Sequence, residues 1–365
     1  MPASRISLQP GGRRRVRVMI VEGRAELDAA SIVARDCIGA VVVAEVATAQ
    51  GALDQLDEAD PDLVLLDLTK PSSAGFAVLP LILARKPALA IIVIVTADAA
   101  GADLALRCLS LGAADYIAWS GSEGANQGGS CVDDGFADEL ARKIGTVGTE
   151  RRRRTRALAE GRRPVSAVAP PRCILIGAST GGPQALATLL QALGRDVIER
   201  MPIVVVQHMP PAFTVVLAEH LALSSGCPAH ELSEGEAIRS GMIHVAPGGR
   251  HLRLGSSGYE IVARLDDSPP VNFCRPSADV LFKDAAAVFG PAVLTIILTG
   301  MGRDGLDGAR ALAAAGASIL VQDEKTSTVW GMPGSVARAG LASAVLPLEE
   351  IATAVRHLLP ESTIE

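Results

Sequence analysis

Residues 173–193 read CILIGASTGGPQALATLLQAL, and this stretch decides the fold of the second half of the chain. It begins with the apolar run CILIG at 173–177, passes through a glycine-rich turn, and ends in the helical pattern PQALATLLQAL at 183–193. Pro183 suits the first turn of that helix, where its missing N–H costs no hydrogen bond. A buried strand, a tight turn and a helix in this order form the repeating unit of a parallel α/β sheet.

Further apolar runs predict the other strands of this sheet. They are PIVVVQH (202–208), MIHVAP (242–247), AVLTIILTG (292–300) and SILVQD (318–323). A helical pattern, GLDGARALAAAG at 305–316, separates the last two. We therefore predict a Rossmann-like α/β domain with a doubly wound parallel sheet over residues 172–360.

The first half of the chain shows the same alternation of apolar runs and helical patterns. The runs are VRVMIV (16–21), AVVVAEV (40–46), LVLLDL (63–68), IIVIVT (91–96) and ADYIAW (114–119). Strands buried on both faces lose polar alternation, so these runs predict a second doubly wound parallel sheet, flavodoxin-like, over residues 16–145. One helix is expected at 101–112, closing at Gly112, and a last helix is expected to begin near Asp134.

Arginine-rich segments flank this N-terminal domain. Residues 1–15 are predicted to be a tail and residues 146–171 a linker, since neither carries an apolar stripe long enough to bury a helix. Arginine clusters can neutralise nucleic-acid phosphates. The net charge of the chain is −6, however, aromatic residues are 3% of it, and no DNA-reading motif is visible. We therefore expect no nucleic-acid partner.

The composition indicates a globular protein with enough apolar material, 49%, for two cores. No run of about 18 apolar residues is present, and residues 1–15 lack the apolar stretch of a secretory signal, so we expect no membrane insertion and a cytoplasmic location. The 6 cysteines show no C-x-x-C spacing. Neither a disulfide framework nor a zinc site is suggested by them.

The turn after the strand CILIG places a serine where chemistry is possible. Gly177-Ala178-Ser179-Thr180-Gly181 fits the G-x-S-x-G nucleophile elbow, in which small flanking residues lift a hydroxyl clear of the backbone beside the free N–H groups of the next helix. Those donors can stabilise an oxyanion. The same sequence pattern would also fit a glycine-rich turn that packs a strand against a helix, or a loop that binds phosphate.

A serine hydroxyl needs a base, and His208 is the best placed of 6 histidines. It ends the strand PIVVVQH, and the carboxyl ends of parallel strands share one edge of a sheet. His251, after a Gly-Gly turn, is the rival. His244 lies inside a strand and is expected to pack in the core. The other histidines, His220, His230 and His357, are expected at the surface.

A carboxylate should orient the imidazole and stabilise its cation. Asp304, just past the strand AVLTIILTG, meets this condition. Asp307, Asp323 and Asp279 remain alternatives that spacing alone does not exclude. The order Ser, His, Asp along the chain differs from the Ser, Asp, His order of α/β-hydrolases, which disfavours an ordinary lipase or esterase fold.

Six ordered blocks of the C-terminal half resemble a known family, the chemotaxis response-regulator protein-glutamate methylesterases. The blocks are GASTGGPQAL (177–186), VVVQHMP (204–210), HVAPGGRH (244–251), RPSADVLF (275–282), LTGMGRDGLDG (298–308) and QDEKTSTVWGMP (322–333). The resemblance implies that Ser179 is the nucleophile, His208 the general base and Asp304 the orienting acid. It also implies an oxyanion or substrate contact by Thr180 and by the backbone N–H of Met301, with Arg275 and Ser277 lining the cleft.

The same resemblance implies an activity and partners. Members of this family hydrolyse methyl esters on glutamate side chains of methyl-accepting chemoreceptors and deamidate receptor glutamines, two acyl transfers that need no metal or cofactor. Chemoreceptors are therefore the expected partners, with a chemotaxis histidine kinase as a further one. A serine hydrolase of another ester, and a non-catalytic signalling scaffold, are the alternatives.

Residues 16–145 resemble a two-component receiver domain, with departures at its phosphorylation site. Asp67, closing LVLLDL, holds the position of the phospho-acceptor, and Thr96 matches the family's hydroxyl residue. The acidic pair that would hold Mg²⁺ is reduced to Glu22-Gly23, and Trp119 stands at the position of the lysine. Losing one carboxylate and one ammonium weakens a phosphoryl–Mg²⁺ site. We therefore expect that this domain shields the active site or docks a partner independently of phosphate.

Overall fold

A computed structural model describes residues 15–21, 37, 39–69, 74–120, 134–153 and 169–359. The N-terminal part is a five-stranded parallel sheet with the strand order β2-β1-β3-β4-β5. Its strands are β1 (Val16–Val21), β2 (Ala40–Val46), β3 (Leu63–Asp67), β4 (Ala90–Thr96) and β5 (Asp115–Trp119). Helices α1 (Ala49–Ala59), α2 (Ala74–Arg85), α3 (Ala99–Ser110) and α4 (Asp134–Arg153) accompany it. The predicted doubly wound parallel sheet is confirmed.

The C-terminal part is a seven-stranded sheet of the order β14-β13-β12-β6-β7-β9-β8, in which every neighbouring pair is parallel. Its strands are β6 (Ile174–Ala178), β7 (Ile203–Gln207), β8 (Ala229–Glu231), β9 (Ile243–Val245), β12 (Leu294–Ile297), β13 (Ser318–Gln322) and β14 (Ala344–Leu346). Its helices are α5 (Gly182–Arg200), α6 (Phe213–Ser225), α7 (Ala278–Phe289), α8 (Leu306–Ala314), α9 (Met332–Arg338) and α10 (Leu348–Leu358). The predicted second α/β domain is likewise confirmed.

The sequence analysis missed an antiparallel hairpin, β10 (His251–Ser257) with β11 (Glu260–Asp266), which interrupts the parallel pattern. It also missed the edge strands β8 and β14, each three residues long. Strands this short carry too few side chains for a recognisable apolar period. Within the described residues, every helix is too short or too polar to traverse a lipid bilayer.

The last helix of the N-terminal part extends further than the sequence suggested. Helix α4 continues to Arg153, so the first eight residues assigned to the linker, 146–153, are helical. The reason is that Val147, 4% exposed, continues the buried stripe of Leu140 and Ile144 at helical spacing. Gly112, predicted to close the helix before β5, does adopt a left-handed φ of 107° after α3.

The two parts pack directly on each other. Tyr116 of β5 stacks on Phe213 of α6, with ring centroids 5.0 Å apart and an interplanar angle of 13°. Nearby, Nε2 of His220 lies 3.4 Å from Oδ1 of Asp103 on α3. The contact therefore joins the face formed by α3 and β5 to the C-terminal part at the helix that follows β7.

Candidate active site

Ser179 occupies the turn between β6 and α5, as the strand–turn–helix pattern predicted. Its backbone N–H donates to the carbonyl of Thr299 (3.0 Å), and its own carbonyl accepts from the N–H of Gly182 (2.7 Å). Gly181 has a φ of 75°, a left-handed conformation that glycine adopts without steric cost. This turn leaves Ser179 half-buried at the carboxyl edge of the sheet.

His208 follows β7, the strand next to β6, and so lies beside Ser179 at this edge. The two strands pair up to Ala178 and Gln207, and the N–H of His208 donates to the carbonyl of Ala178 at 3.1 Å. Ser179 and His208 are thus the next residues along two paired strands. The side chain of His208 is 11% exposed.

The structure brings His208 together with Asp304, the acid favoured from the sequence. Nε2 of His208 lies 2.8 Å from Oδ2 of Asp304, whose side chain is 1% exposed. Asp304 also accepts hydrogen bonds from the hydroxyl of Ser277 (2.6 Å) and from the N–H of Ala278 (2.6 Å). These donors and His208 hold the pKa of Asp304 well below its usual range although burial opposes ionisation.

The other carboxylates are engaged elsewhere. Asp279 accepts from the N–H of Gly308, and burial together with the charge of Asp304 raises the pKa of Asp279 to about 6. Asp307 pairs with Arg310 on the surface of α8, and Asp323 accepts from the N–H and the hydroxyl of Thr326. None of these three contacts His208 in the described structure.

The rival histidine, His251, is fully buried and both of its ring nitrogens meet backbone groups. Nδ1 accepts from the N–H of Ser277 at 3.2 Å, and Nε2 lies 3.1 Å from the carbonyl of Pro269. His251 therefore supports the loop that carries Ser277. It offers no free nitrogen to a nucleophile.

Two backbone N–H groups near Ser179 are available as oxyanion donors. In the described residues no acceptor is found for the N–H of Thr180 or of Met301. Met301 follows Gly300, which packs so closely on the serine that a Cβ there would lie 2.9 Å from Cβ of Ser179. The hydroxyl of Thr180, in contrast, is directed away from the site and donates to Oδ2 of Asp115 on β5 at 2.9 Å.

The loop expected to line the cleft has a different role in part. Ser277 is fully buried and donates to Asp304, so it positions the acid and does not face the cleft. Arg275 is half-buried and donates to the carbonyls of Asp267 (3.0 Å) and Ser268 (3.2 Å). The prediction that Ser277 lines the cleft is therefore wrong, because its hydroxyl is buried and donates its hydrogen bond to the carboxylate of Asp304.

Comparison with known proteins identifies the family. A family model described as CheB methylesterase matches residues 174–355, and one described as a response regulator receiver domain matches residues 18–122. A relative from Nitrobacter hamburgensis, named protein-glutamate methylesterase/protein-glutamine glutaminase, is 42% identical over 96% of each chain. A relative of the same type from Caulobacter vibrioides is 42% identical over 92% of this chain and 96% of its own.

The chain belongs to the CheB methylesterase family. The crystal structure of the Thermotoga maritima CheB methylesterase catalytic domain superposes on the C-terminal part with a TM-score of 0.50 and 37% identity, covering 52% of this chain and all of that domain. This methylesterase family member thus joins a methylesterase domain to an N-terminal receiver domain.

The receiver domain of this family member departs from the receiver pattern in its structure as well. Asp67 ends β3, and its Oδ1 accepts from both the N–H (2.9 Å) and the hydroxyl (2.8 Å) of Thr69. Trp119 packs edge-on against Phe136, with centroids 4.8 Å apart, and Thr96 donates to Asp98 (2.8 Å). Glu22 lies outside the described residues. Among the described residues of this set, Asp67 is a carboxylate and none is a cation.

The sequence analysis missed Cys274, which contacts the other side of the imidazole. Its Sγ lies 3.4 Å from Nδ1 of His208. Burial by itself lowers the pKa of His208, but the electrostatic interaction with Cys274 and the hydrogen bond to Asp304 outweigh it and raise this pKa to about 10. The position of Cys274, one residue before the block RPSADVLF, was the only sequence signal for this contact.

Proposed function

We propose that this protein hydrolyses methyl esters on glutamate side chains of methyl-accepting chemoreceptors, and deamidates receptor glutamines, with Ser179 as nucleophile, His208 as general base and Asp304 as orienting acid. The observation that carries this proposal is the buried His208–Asp304 pair at the sheet edge, next in register to Ser179 on the elbow. The names of the relatives, which describe both activities, support the substrate class.

The reaction is an acyl transfer in two steps. Oγ of Ser179 attacks the γ-carbonyl carbon while His208 takes its proton, and the developing oxyanion is bound by the N–H groups of Thr180 and Met301. The tetrahedral intermediate then expels methanol or ammonia, which receives the proton from His208. Water, deprotonated by the same imidazole, releases glutamate and restores the serine.

The contacts of His208 assign its two nitrogens. Nε2 lies against Asp304, so Nδ1 is the nitrogen left to exchange a proton with Ser179. Nδ1 lies 3.4 Å from Sγ of Cys274 here. Nδ1 must move out of contact with Sγ of Cys274 before it can accept the proton of Ser179.

The receiver domain is the proposed regulator, acting by contact. Asp115 accepts from the hydroxyl of Thr180, beside the nucleophile, and Thr146 of α4 donates to Sδ of Met301 at 3.2 Å. Both candidate oxyanion residues are therefore held by the N-terminal part. Receptor side chains must reach these residues, so we propose that the domain shields the site until the contact opens.

The decisive test is methanol release from membranes that carry methylated receptor, with the full chain. Ser179→Ala is expected to abolish release, whereas Ser256→Ala, at an exposed serine of β10, keeps the wild-type rate. Equal rates in wild type and Ser179→Ala would remove Ser179 from the mechanism. Hydrolysis of small esters without release from receptor would favour another serine hydrolase, and no hydrolysis of either would favour a scaffold.

Phosphate-independent regulation has its own test. We expect no mass change when the full chain is incubated with acetyl phosphate and Mg²⁺, because Gly23 and Trp119 stand where the receiver pattern has a carboxylate and a lysine. Intact mass spectrometry measures this directly. A stoichiometric gain of one phosphoryl group that is lost in Asp67→Ala would contradict the proposal and would make a chemotaxis histidine kinase the natural donor. We propose a cytoplasmic location for this enzyme, as expected from the sequence.

A further inference from the structure

Two histidines and a glutamate meet at the outer edge of the seven-stranded sheet, away from the groups used in the mechanism. His230 on β8 and His244 on β9 are register partners of two paired strands, and their ring centroids are 5.3 Å apart. Glu236 lies in the segment between these strands. One ligand atom from each of the three residues falls within 4.8 Å of the other two.

His244 is the central member of this cluster and carries an unused nitrogen. Its side chain is 1% exposed, and Nδ1 is buried without a hydrogen-bond partner. Buried polar atoms are nearly always paired, so an orphan here points to a missing ligand. Nε2 lies 3.0 Å from the carbonyl oxygen and 3.1 Å from the N–H of Arg239. When Nε2–H donates to that carbonyl, Nδ1 keeps an unshared lone pair.

This pattern is the one that orients metal-binding histidines. One ring nitrogen donates to a backbone carbonyl, which sets the tautomer, and the other faces the metal.

Glu236 is held in place from both ends. Its Oε2 accepts from the N–H of Ser233 at 3.0 Å, while Oε1 contacts Nε2 of His230. The backbone around it pairs with β11, since Ala263 donates to the carbonyl of Glu236 (2.7 Å) and accepts from Gly235 (2.9 Å). The carboxylate is thus pre-positioned on a backbone that is already ordered.

We propose that His244 through Nδ1, the imidazole of His230 and the carboxylate of Glu236 form a binding site for a divalent transition metal of the zinc type. Two imidazoles and one carboxylate are a set that Zn²⁺ accepts, whereas Ca²⁺ and Mg²⁺ prefer oxygen ligands throughout. His230 and Glu236 are 34% and 32% exposed at their side chains, so water reaches the fourth position. Metal binding would replace the direct contact between Nε2 of His230 and Oε1 of Glu236.

The location assigns a structural role to the metal. The three ligands come from the edge strand β8, from β9, and from the segment that pairs with β11. A bound ion would cross-link the sheet edge to the hairpin. Cysteine spacing gave no sign of this site because it contains no cysteine.

The proposal is tested by zinc binding to the full chain after chelator treatment. The parent protein carries Cys274→Ser, so that the separate group of His208, Cys274 and Asp304 offers no thiolate. Titration with Zn²⁺ against a chromogenic chelator is expected to show one ion per chain. Co²⁺ is expected to give the visible bands of a four-coordinate nitrogen–oxygen site.

Variants at the two partly exposed ligands identify the site. His230→Gln and Glu236→Gln in the parent are each expected to weaken zinc binding by about tenfold or more. His357→Gln, at an exposed histidine of α10, serves as the control and keeps the parent affinity. Zinc should raise the Tm of the parent and of the control but not that of the two ligand variants. Circular dichroism verifies that each variant is folded. If only one of the two ligand variants folds, its zinc affinity alone decides the test.

Two results would overturn the proposal. One is that the parent protein binds no zinc, and the other is that the folded ligand variants bind zinc as tightly as His357→Gln does. In both cases the orphaned nitrogen of His244 would be a feature of packing alone.

Discussion

The hydroxyl of Thr180, the residue after the nucleophile, donates a 2.9 Å hydrogen bond to Oδ2 of Asp115 in the receiver domain. The same carboxylate lies 3.0 Å from Nζ of Lys143, which also pairs with Glu139 at 3.1 Å. Asp115 is 3% exposed, so this contact is shielded from water. A buried charge thus ties the regulatory domain to the turn on which the proposed chemistry depends.

Asp115→Asn is expected to raise the basal rate of methanol release by about tenfold. The amide removes the charge from the bond to Thr180, a loss of about 1.4 kcal/mol that shifts the domain contact toward the open form. Glu139→Gln is the matched control, because it alters the other partner of Lys143 without touching Thr180. If both variants gave the same rate, the Thr180–Asp115 bond would have no regulatory effect.

Cys274→Ala is expected to move the pH profile of the esterase to lower pH. The base must be neutral to act, so activity rises as pH passes the pKa of His208, which the electrostatic interaction with Cys274 helps to raise to about 10. Removing this interaction lowers the pKa of His208, and the rising limb of the profile should shift by about one pH unit or more. The rate of methanol release from pH 6 to 10 measures it. Cys37→Ser, in the receiver domain, should leave the profile in place; an unmoved limb in Cys274→Ala would contradict the assignment.

Asp304→Asn is expected to reduce the rate by about 10³- to 10⁴-fold, because the amide favours the wrong tautomer of His208. It should also lower the free energy of unfolding by about 3–5 kcal/mol at pH 7, since Asp304 accepts buried N–H and O–H groups that an NH₂ cannot satisfy. The folded-state pKa of Asp304 is depressed, so its stabilisation is present above the ordinary carboxyl pKa and is lost as pH falls below it.

Urea unfolding at pH 7 and near pH 3 checks this prediction. The deficit of the variant should shrink at the lower pH, as the wild type begins to lose the same stabilisation. Asp307→Asn is the control, because Asp307 forms an exposed pair with Arg310 and should change stability by less than about 1 kcal/mol. A deficit that does not depend on pH would show that the charge of Asp304 is not what stabilises the loop.

Gly300→Ala is expected to reduce activity by about a hundredfold or more with little loss of fold. The new methyl would lie 2.9 Å from Cβ of Ser179 and 2.4 Å from Sδ of Met332, so the serine must move, and small displacements of a nucleophile are costly. Gly145→Ala, on α4 with open space around it, is the control and should stabilise the helix by about 0.5–1 kcal/mol. Initial rates and melting curves of both variants separate the effect on activity from the effect on stability. Full activity in Gly300→Ala would show that the close packing of residue 300 on Ser179 does not position the nucleophile.

Much of the architecture could be predicted from local patterns. Runs of apolar residues predicted the long buried strands within two residues or fewer in most cases, as for β1 and β4, because strands buried on both faces need no partner to be recognised. The hairpin β10–β11 and the short edge strands could not be found this way, since their residues are partly exposed and take their conformation from pairing with neighbours.

The proposed site also combines residues that were predicted from the sequence with contacts that only the structure revealed. The elbow at Ser179 and the strand-end position of His208 follow from spacing along the chain, and both were predicted. The buried role of Ser277, the contact of Cys274 with His208, and the bond from Thr180 to Asp115 join residues 27, 66 and 65 positions apart. A local sequence pattern cannot predict contacts between residues so far apart along the chain.

The sequence by itself determined the two parallel sheets, the family, and the edge of the sheet at which the candidate site lies, because apolar periodicity and glycine-rich turns act over a few residues. Only the tertiary structure brought the carboxylate of Asp304 to 2.8 Å from His208, gave His208 a thiol neighbour, and left Nδ1 of the buried His244 without a partner. These properties depend on desolvation and on atoms brought together by packing, and they arise when the chain has folded.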